Sequence, residues 1–71
     1  MKADELLRVL GRQPLGYVVA RTKGSHRRLV SENFPPLLIA FHSGQTIPAG
    51  MVRKVLTKDV GLAEDEALEL L

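Results

Sequence analysis

Three runs with strand character, joined by two short turns, constrain the fold of this chain more than any other feature. Residues 16–22, 25–31 and 37–41 are the predicted strands; the first contains β-favouring side chains and the third is continuously apolar. Lys23-Gly24 is the predicted first turn, because glycine accepts the positive φ that tight hairpins need. Serine, asparagine and proline residues follow the second run and form the other turn. Connections this short join antiparallel neighbours, so the runs predict an antiparallel meander.

Helical periodicity on both sides of these strands predicts the layer that covers the sheet. Residues 3–10 have the apolar spacing of one helix face, and acids lie in the first turn, where the helix dipole favours them. A second helix begins near Pro48, which suits a first turn, and ends at Gly61, and a short third helix spans residues 64–71. The apolar faces of the three helices consist of Ala3, Leu6, Leu7 and Leu10, predicted to pack in the core; Met51, Val52, Val55 and Leu56; and Ala67, Leu68 and Leu71.

These elements predict a single domain over residues 1–71 of the α+β class. Its two layers are a three-stranded antiparallel sheet and two helices that cover the same face of that sheet. The predicted order is α-β-β-β-α plus a short C-terminal helix.

The net charge of +2 conceals a basic middle and acidic ends. Residues 6–58 contain nine basic side chains and one acid, Glu32, which gives nine minus one, or +8. Such a surface favours a polyanionic partner, and the alternative is an ordinary solvated surface with chance clustering. The chain has no cysteine, so a disulfide framework and a thiolate metal site are excluded.

The expected location is the cytoplasm, without membrane attachment. A chain without cysteine suits a reducing compartment. Residues 1–5 carry acids where a secretory signal has a basic region. The most apolar run, residues 37–41, has five residues, far fewer than the roughly 20 that span a bilayer.

The basic charge is densest in residues 21–29, which also contain the first of two histidines, His26. Histidine exchanges a proton near neutral pH, and cations with a glycine turn can hold a phosphate. A ribonuclease needs these groups, because RNA supplies its own nucleophile, the 2′-hydroxyl, and the protein removes its proton and stabilises charge on phosphate. His26 is the candidate base, and the alternative is a polar surface residue. The candidate RNA-binding residues are Arg21, Lys23, Gly24, Ser25, Arg27 and Arg28.

The second histidine, His42, lies in a predicted loop after the third strand. It could be the acid that protonates the leaving oxygen, or a loop residue that caps a nearby backbone group. Two histidines without nearby carboxylates or cysteines do not make a metal site, so neither a metal nor another cofactor is expected. The second helix also carries cations, Arg53, Lys54 and Lys58. They could extend the RNA-binding surface or simply be solvated.

Four features in this order resemble the HicA toxin family of messenger-RNA endonucleases. They are a leading helix that ends near a glycine and an aromatic residue, a Lys-Gly-Ser-His turn, an apolar strand followed by a histidine loop, and a Pro-x-Gly start to an amphipathic helix. The quoted residues are Gly16-Tyr17, then Lys23-Gly24-Ser25-His26, then Phe41-His42-Ser43, then the stretch from Ile47 to Leu56, and finally the Gly61-Leu62 turn. The resemblance covers nearly the whole chain.

The resemblance implies a fold like a double-stranded RNA-binding domain, ribonuclease activity on messenger RNA, and His26 as the catalytic residue. It also implies a HicB-type antitoxin protein as partner. The chain departs from the family in two places. Arg27 occupies the position where members often have a second histidine, and residues 11–15 interrupt the helical pattern more than is usual at the end of this helix.

Three functions remain open on the residues alone. The first is a metal-independent endoribonuclease, and the second is a non-catalytic RNA-binding module that has the same charge but no need of His26. The third is an adaptor whose basic face binds an acidic protein. Loss of cleavage without loss of binding on changing His26 separates the first from the second, and salt-dependent RNA binding separates both from the third.

Overall fold

The computed structural model describes all 71 residues, and it confirms the α+β prediction. One antiparallel sheet, in the order β1-β2-β3, packs against a layer of helices. The elements are α1 (Ala3–Gly11), β1 (Val18–Lys23), β2 (His26–Val30), β3 (Leu37–Ile39), α2 (Ala49–Lys54), a π-helical turn (Val55–Asp59) and α3 (Glu64–Leu70). No helix combines the length and the apolar composition that crossing a membrane requires.

The turn between β1 and β2 lies one residue later than the sequence predicts. Its central residues are Gly24 and Ser25, and Lys23 pairs with His26 across the hairpin. Gly24 has φ +60°, whereas Ser25 does not have a positive φ. Glycine at the first central position is the requirement of a type II′ turn, which matches the twist of the two strands. The prediction of Lys23-Gly24 as the central pair was therefore wrong, and β2 begins at His26.

A β-bulge interrupts β1 at Ala20. Val18 and Val19 face Val30 and Leu29, but the next pair is Arg21 with Arg28. The extra residue reverses the alternation of side chains along β1. As a result Arg21 lies on the same side of the sheet as Val18, although the two positions differ by an odd number.

The third strand is shorter than predicted. β3 pairs Leu37 with Leu29 and Ile39 with Arg27, and it ends at Ile39. Continuing this register would place Phe41 opposite Ser25, which is already in the turn. Phe41 therefore has no strand residue opposite it. Composition predicts that this strand is the most buried of the three, but Leu38 is 70% exposed because it points to the uncovered face.

The core lies between the helices and one face of the sheet. Leu29, Leu37 and Ile39 form the sheet side of one buried cluster, and side chains from α1, α2 and the π-helical turn form the other side. The helix side includes Ala3, Leu6, Leu10, Val52, Val55 and Leu56. This arrangement confirms that the first two helices cover the same face.

The short third helix contributes one buried residue to the core, although three apolar residues share one side of it. The Glu66 carboxylate accepts a hydrogen bond from the Ala63 N–H at 3.0 Å, which caps the helix start. Ala67 is buried, but Leu68 is 65% exposed and Leu71 is 58% exposed. The two leucines share the predicted apolar side with Ala67 but are not part of the core. Met51, on the predicted apolar face of α2, is also exposed.

Two long-range hydrogen bonds connect the segment at the start of β1 with the connection between β2 and β3. The Tyr17 hydroxyl donates to the Pro35 carbonyl at 2.6 Å, and the Ser31 hydroxyl donates to the Leu15 carbonyl. Burial raises the pKa of Tyr17 above its ordinary value of 10.0. These bonds tie the start of β1 to the connection that leads into β3.

Candidate nucleic-acid interface

The side of the sheet away from the helices carries the predicted basic site. Cross-strand partners lie on the same face of an antiparallel sheet, so the pairing identifies the members of this face. We call it the open face, and its members are Val18, Arg21, Lys23, His26, Arg28, Val30 and Leu38. All are exposed except Val30, which is half-buried.

His26 lies at one end of the open face among three cations. Lys23 is its direct partner on β1, Arg28 follows two positions later on β2, and Arg21 faces Arg28. The two-residue turn pairs Lys23 with His26, so Lys23 and Arg21 lie on the same side of the sheet as His26. The imidazole of His26 makes no hydrogen bond to the protein, so both ring nitrogens are available to a ligand.

No acidic side chain neutralises these cations. The ion pair of the molecule lies elsewhere, between Lys54 and Asp59, with 3.4 Å between the Lys54 Nζ and Asp59 Oδ2 atoms. Arg21, Lys23 and Arg28 therefore have no ion-pair partner in the protein that would compete with an anionic ligand. Cations held at fixed strand positions can contact phosphate groups in succession, and arginine can do so with two parallel N–H groups.

The turn beside His26 is open to solvent. A Cβ atom built on Gly24 would meet nothing within 4 Å. The backbone at Gly24 is therefore accessible to an approaching phosphate. Ser25 is half-buried in this turn and makes no hydrogen bond to His26, so the two residues do not form a nucleophile–base pair.

Arg27 points to the other side of the sheet. It pairs with Ile39 and Thr22, is half-buried, and donates from one guanidinium nitrogen to the Phe41 carbonyl oxygen at 3.0 Å. The structure therefore separates Arg27 from the three open-face cations that sequence grouped with it. Its predicted contact with phosphate stays a prediction.

The loop that contains His42 lies at the same end of the sheet as His26. Since β2 and β3 are antiparallel, the chain after Ile39 runs towards the Gly24 end of β2. The His42 N–H donates to the Gln45 side-chain oxygen at 3.0 Å, and the Gln45 N–H donates to the His42 carbonyl at 3.0 Å. The His42 imidazole itself makes no hydrogen bond.

Residues near the N-terminus also contact this loop. Lys2 forms an isolated bridge with Thr46, and its Nζ donates to the Gly44 carbonyl at 3.2 Å. The Ser43 hydroxyl donates to the Asp4 carboxylate at 3.3 Å. Together with Arg27, these contacts hold the loop in one position. Its predicted role in acid catalysis stays a prediction.

The cations of the second helix belong to the other layer. Arg53, Lys54 and Lys58 are exposed, but their helix packs on the covered face of the sheet. Lys54 is paired with Asp59. An apolar groove of about 200 Å³ lies between α2 and α3 on this same side and is lined by Met1, Val52, Ala67, Leu68 and Leu71 among others.

Sequence reasoning did not place two apolar residues, Val18 and Leu38, on the open face. Val18 is 61% exposed and Leu38 is 70% exposed. Apolar composition predicts a strand but not which face each side chain occupies, and only the pairing register shows that Val18 and Leu38 point outwards. No group of three or more histidine and carboxylate side chains lies close enough together to hold a metal ion.

Comparison with known families identifies one match. A family model described as "HicA toxin of bacterial toxin-antitoxin" matches residues 3–62 of the 71 residues. The matched segment includes the sheet, the histidine loop, α2 and the π-helical turn. No curated protein and no solved structure matches this sequence.

Proposed function

The chain belongs to the HicA toxin family, the toxins of bacterial toxin–antitoxin systems, and we propose that it is a metal-independent endoribonuclease that cuts messenger RNA in the cytoplasm. His26 is its catalytic base, and no cofactor takes part. The observation that supports this proposal is the placement of His26, with both ring nitrogens unpartnered, on an open face that carries three cations and no acid. A ribonuclease of this kind needs a proton acceptor and a phosphate-binding surface, and these residues supply both.

The proposed reaction uses the 2′-hydroxyl of the substrate as nucleophile. His26 removes the 2′-hydroxyl proton as that oxygen attacks the neighbouring phosphorus. The bond from phosphorus to the 5′-oxygen breaks, and the leaving oxygen takes up a proton. The products are a 2′,3′-cyclic phosphate and a 5′-hydroxyl. His42 is a candidate donor of the second proton, because its loop lies at the same end of the sheet as His26.

The cations stabilise the negative charge that grows on the phosphate oxygens. Lys23 and Arg28 flank His26 across and along the hairpin, and Arg21 extends the row. Arg28 can bind a phosphate bidentately, whereas Lys23 acts as a point charge. The backbone N–H groups at Gly24 and the hydroxyl of Ser25 lie where they can add neutral donors. Donors that are held before the reaction cost no reorganisation during it.

Binding on this face should depend strongly on charge and weakly on base identity. The three aromatic side chains are Tyr17, Phe34 and Phe41, and none is a member of the open face. Stacking on aromatic rings, the usual source of base contacts to single strands, is therefore absent there. Phosphate contacts dominate, so affinity should fall steeply as salt rises.

The decisive experiment compares His26→Ala with His42→Ala and the parent in cleavage, RNA binding and thermal unfolding. His26→Ala should abolish cleavage while keeping RNA binding, because the cations remain. Its free energy of unfolding should change by no more than about 0.5 kcal/mol, since the side chain is exposed and unpartnered. His42→Ala should keep measurable cleavage unless His42 is the general acid. His26→Gln provides a variant closer in size if His26→Ala folds poorly.

A folded His26 variant that still cleaves like the parent would contradict the catalytic role. The protein would then be better described as a non-catalytic RNA-binding module, because the charged face needs no histidine to bind phosphate. Retained salt-dependent binding in the same variant would support that second function. Loss of all RNA binding in the parent would argue against both.

A free ribonuclease damages its own cell, so the proposal includes a protein that silences it. Family membership implies an antitoxin partner, and we propose that it is of the HicB type and covers His26. The uncompensated cations of the open face suit an acidic surface on that partner.

A further inference from the structure

The first strand of the sheet lacks cover on both faces and at one edge. All six residues of β1 are exposed, although β2 and β3 have buried members. Val18 and Val19 point to opposite sides of the strand, and they are 61% and 49% exposed. The helix layer therefore stops short of β1 and packs against β2 and β3.

The outer edge of β1 also has unpaired backbone groups. A two-residue turn makes Lys23 and His26 a hydrogen-bonded pair, so the backbone N–H and C=O of the next residue, Thr22, point away from β2. No turn, loop or cap hydrogen bond of the molecule involves a backbone group of β1. A strand edge in this state can accept another strand.

We propose that the outer edge of β1 takes up an extended acidic segment of another protein as a fourth strand of the sheet. This interaction is separate from the proposed cleavage of RNA, because it uses the backbone of β1 and does not require His26. Backbone hydrogen bonds would supply affinity, and the side chains on the two faces of β1 would select the partner.

Charge selects the partner and excludes a second copy of this chain. Arg21 and Lys23 project from β1 on the open face without an ion-pair partner. A second β1 placed along this edge would set like charges against one another, which destabilises a cross-strand pair. Glutamate or aspartate at alternating positions would instead face Arg21 and Lys23.

The apolar members of β1 specify the remaining positions of the partner. Val19 lies on the side opposite Arg21, at the margin of the helix layer. A partner strand that alternates acidic and β-branched residues would place acids on the open face and cover Val19 with its apolar side chains. The β3 edge is less suited to this purpose because β3 has three residues, two of them buried.

The test uses a short synthetic peptide of alternating glutamate and valine, labelled for fluorescence anisotropy. Its matched control has the same sequence with N-methyl groups on the amides of one edge, which keeps the charge but removes the backbone donors. A peptide of alternating lysine and valine controls for charge. The protein variants are Thr22→Pro, which removes the outward N–H, and Thr22→Val, which keeps it with a similar shape.

The acidic peptide should bind the parent and Thr22→Val equally. Binding should fall about fivefold or more for Thr22→Pro and for the N-methylated peptide, because losing one hydrogen bond of this kind costs on the order of 1 kcal/mol. The lysine peptide should not bind. In amide NMR spectra of the parent, the acidic peptide should shift the Thr22 N–H signal.

Three results would overturn the proposal. Equal binding of the N-methylated and unmodified acidic peptides would show that charge alone, not strand pairing, holds the peptide. Absence of peptide binding would show that the edge does not accept an acidic strand. Concentration-dependent dimerisation of the free protein, with protection of the Thr22 amide, would identify a second copy as the occupant. The methylated peptide keeps the test valid even if Thr22→Pro does not fold.

Discussion

Two adjacent arginines, Arg27 and Arg28, offer a test of the side-chain directions in the sheet. The sequence predicts that both contact phosphate. In the structure Arg28 lies on the open face, whereas Arg27 points to the helix side and binds the Phe41 carbonyl. Replacing each with methionine keeps most of the apolar side chain and removes the guanidinium, so the two variants form a matched pair.

Arg27→Met should reduce stability more than Arg28→Met. A hydrogen bond from a charged donor contributes about 1.5–3 kcal/mol, and partial exposure of Arg27 lowers this to about 1 kcal/mol. In a domain of this size that loss corresponds to a fall in Tm of about 4–8 °C. Arg28 has no hydrogen-bond partner in the protein, so its replacement should change stability by less than about 0.5 kcal/mol.

RNA binding should show the opposite order. Each lost phosphate contact reduces the salt slope of log affinity by about 0.7 on single strands, and we expect this reduction for Arg28→Met. The ligand should be a 2′-O-methyl oligoribonucleotide, which has no free 2′-hydroxyl and cannot be cut by the proposed reaction. Circular dichroism at rising temperature and binding over a salt series supply the two measurements.

Equal effects of the two replacements would refute this reasoning. If Arg27→Met lowers the salt slope as much as Arg28→Met and leaves Tm unchanged, Arg27 contacts phosphate and its bond to Phe41 contributes nothing measurable. If Arg28→Met lowers Tm by several degrees, Arg28 is not the free open-face cation that the pairing register indicates.

Three further predictions concern metal, partner and pH. RNA cleavage should persist in excess EDTA; complete loss in chelator, restored by magnesium or zinc, would contradict the metal-free reaction. A complex with the antitoxin should not cut added RNA, and its amides should be protected from hydrogen exchange at residues 24–29; protection confined to the terminal helices would show that the site is not masked. Tyr17→Phe should cost about 1 kcal/mol near neutral pH through loss of the bond to Pro35. Because burial raises the folded-state pKa of Tyr17, the parent's stability should fall as pH rises from about 10 through that raised value, and Tyr17→Phe should lack this part of the fall. Equal pH slopes for parent and variant above pH 10, measured by urea unfolding, would contradict the role given to burial.

The element order and much of the site follow from local patterns. The apolar spacing of α1 and the glycine at the first turn act within a few residues, so sequence reasoning identified both. Alternation along a strand is equally local: it places His26 and Arg28 on one face and Arg27 and Leu29 on the other, as the pairing shows. The family resemblance extended this local reasoning to His26 as catalyst, which remains a proposal.

Sequence reasoning failed where packing decides the outcome. Leu68 and Leu71 have helical spacing, but a short helix buries only the face that reaches its neighbours, and here Ala67 is the buried residue. Leu38 lies in an apolar run yet points outwards, because no helix covers that face. Periodicity identifies an apolar face but does not show whether another element is there to cover it.

The sequence alone determined that this chain forms a basic hairpin flanked by helices, because turn chemistry and side-chain alternation are short-range effects. Only the tertiary structure decided which cations stand beside His26. The register at the hairpin turn pairs Lys23 with His26 and places Arg21 and Lys23 on the open face, and the end of β3 leaves the Phe41 carbonyl for Arg27. Both depend on pairing between strands, because register sets which side chains share a face and which backbone groups need another partner.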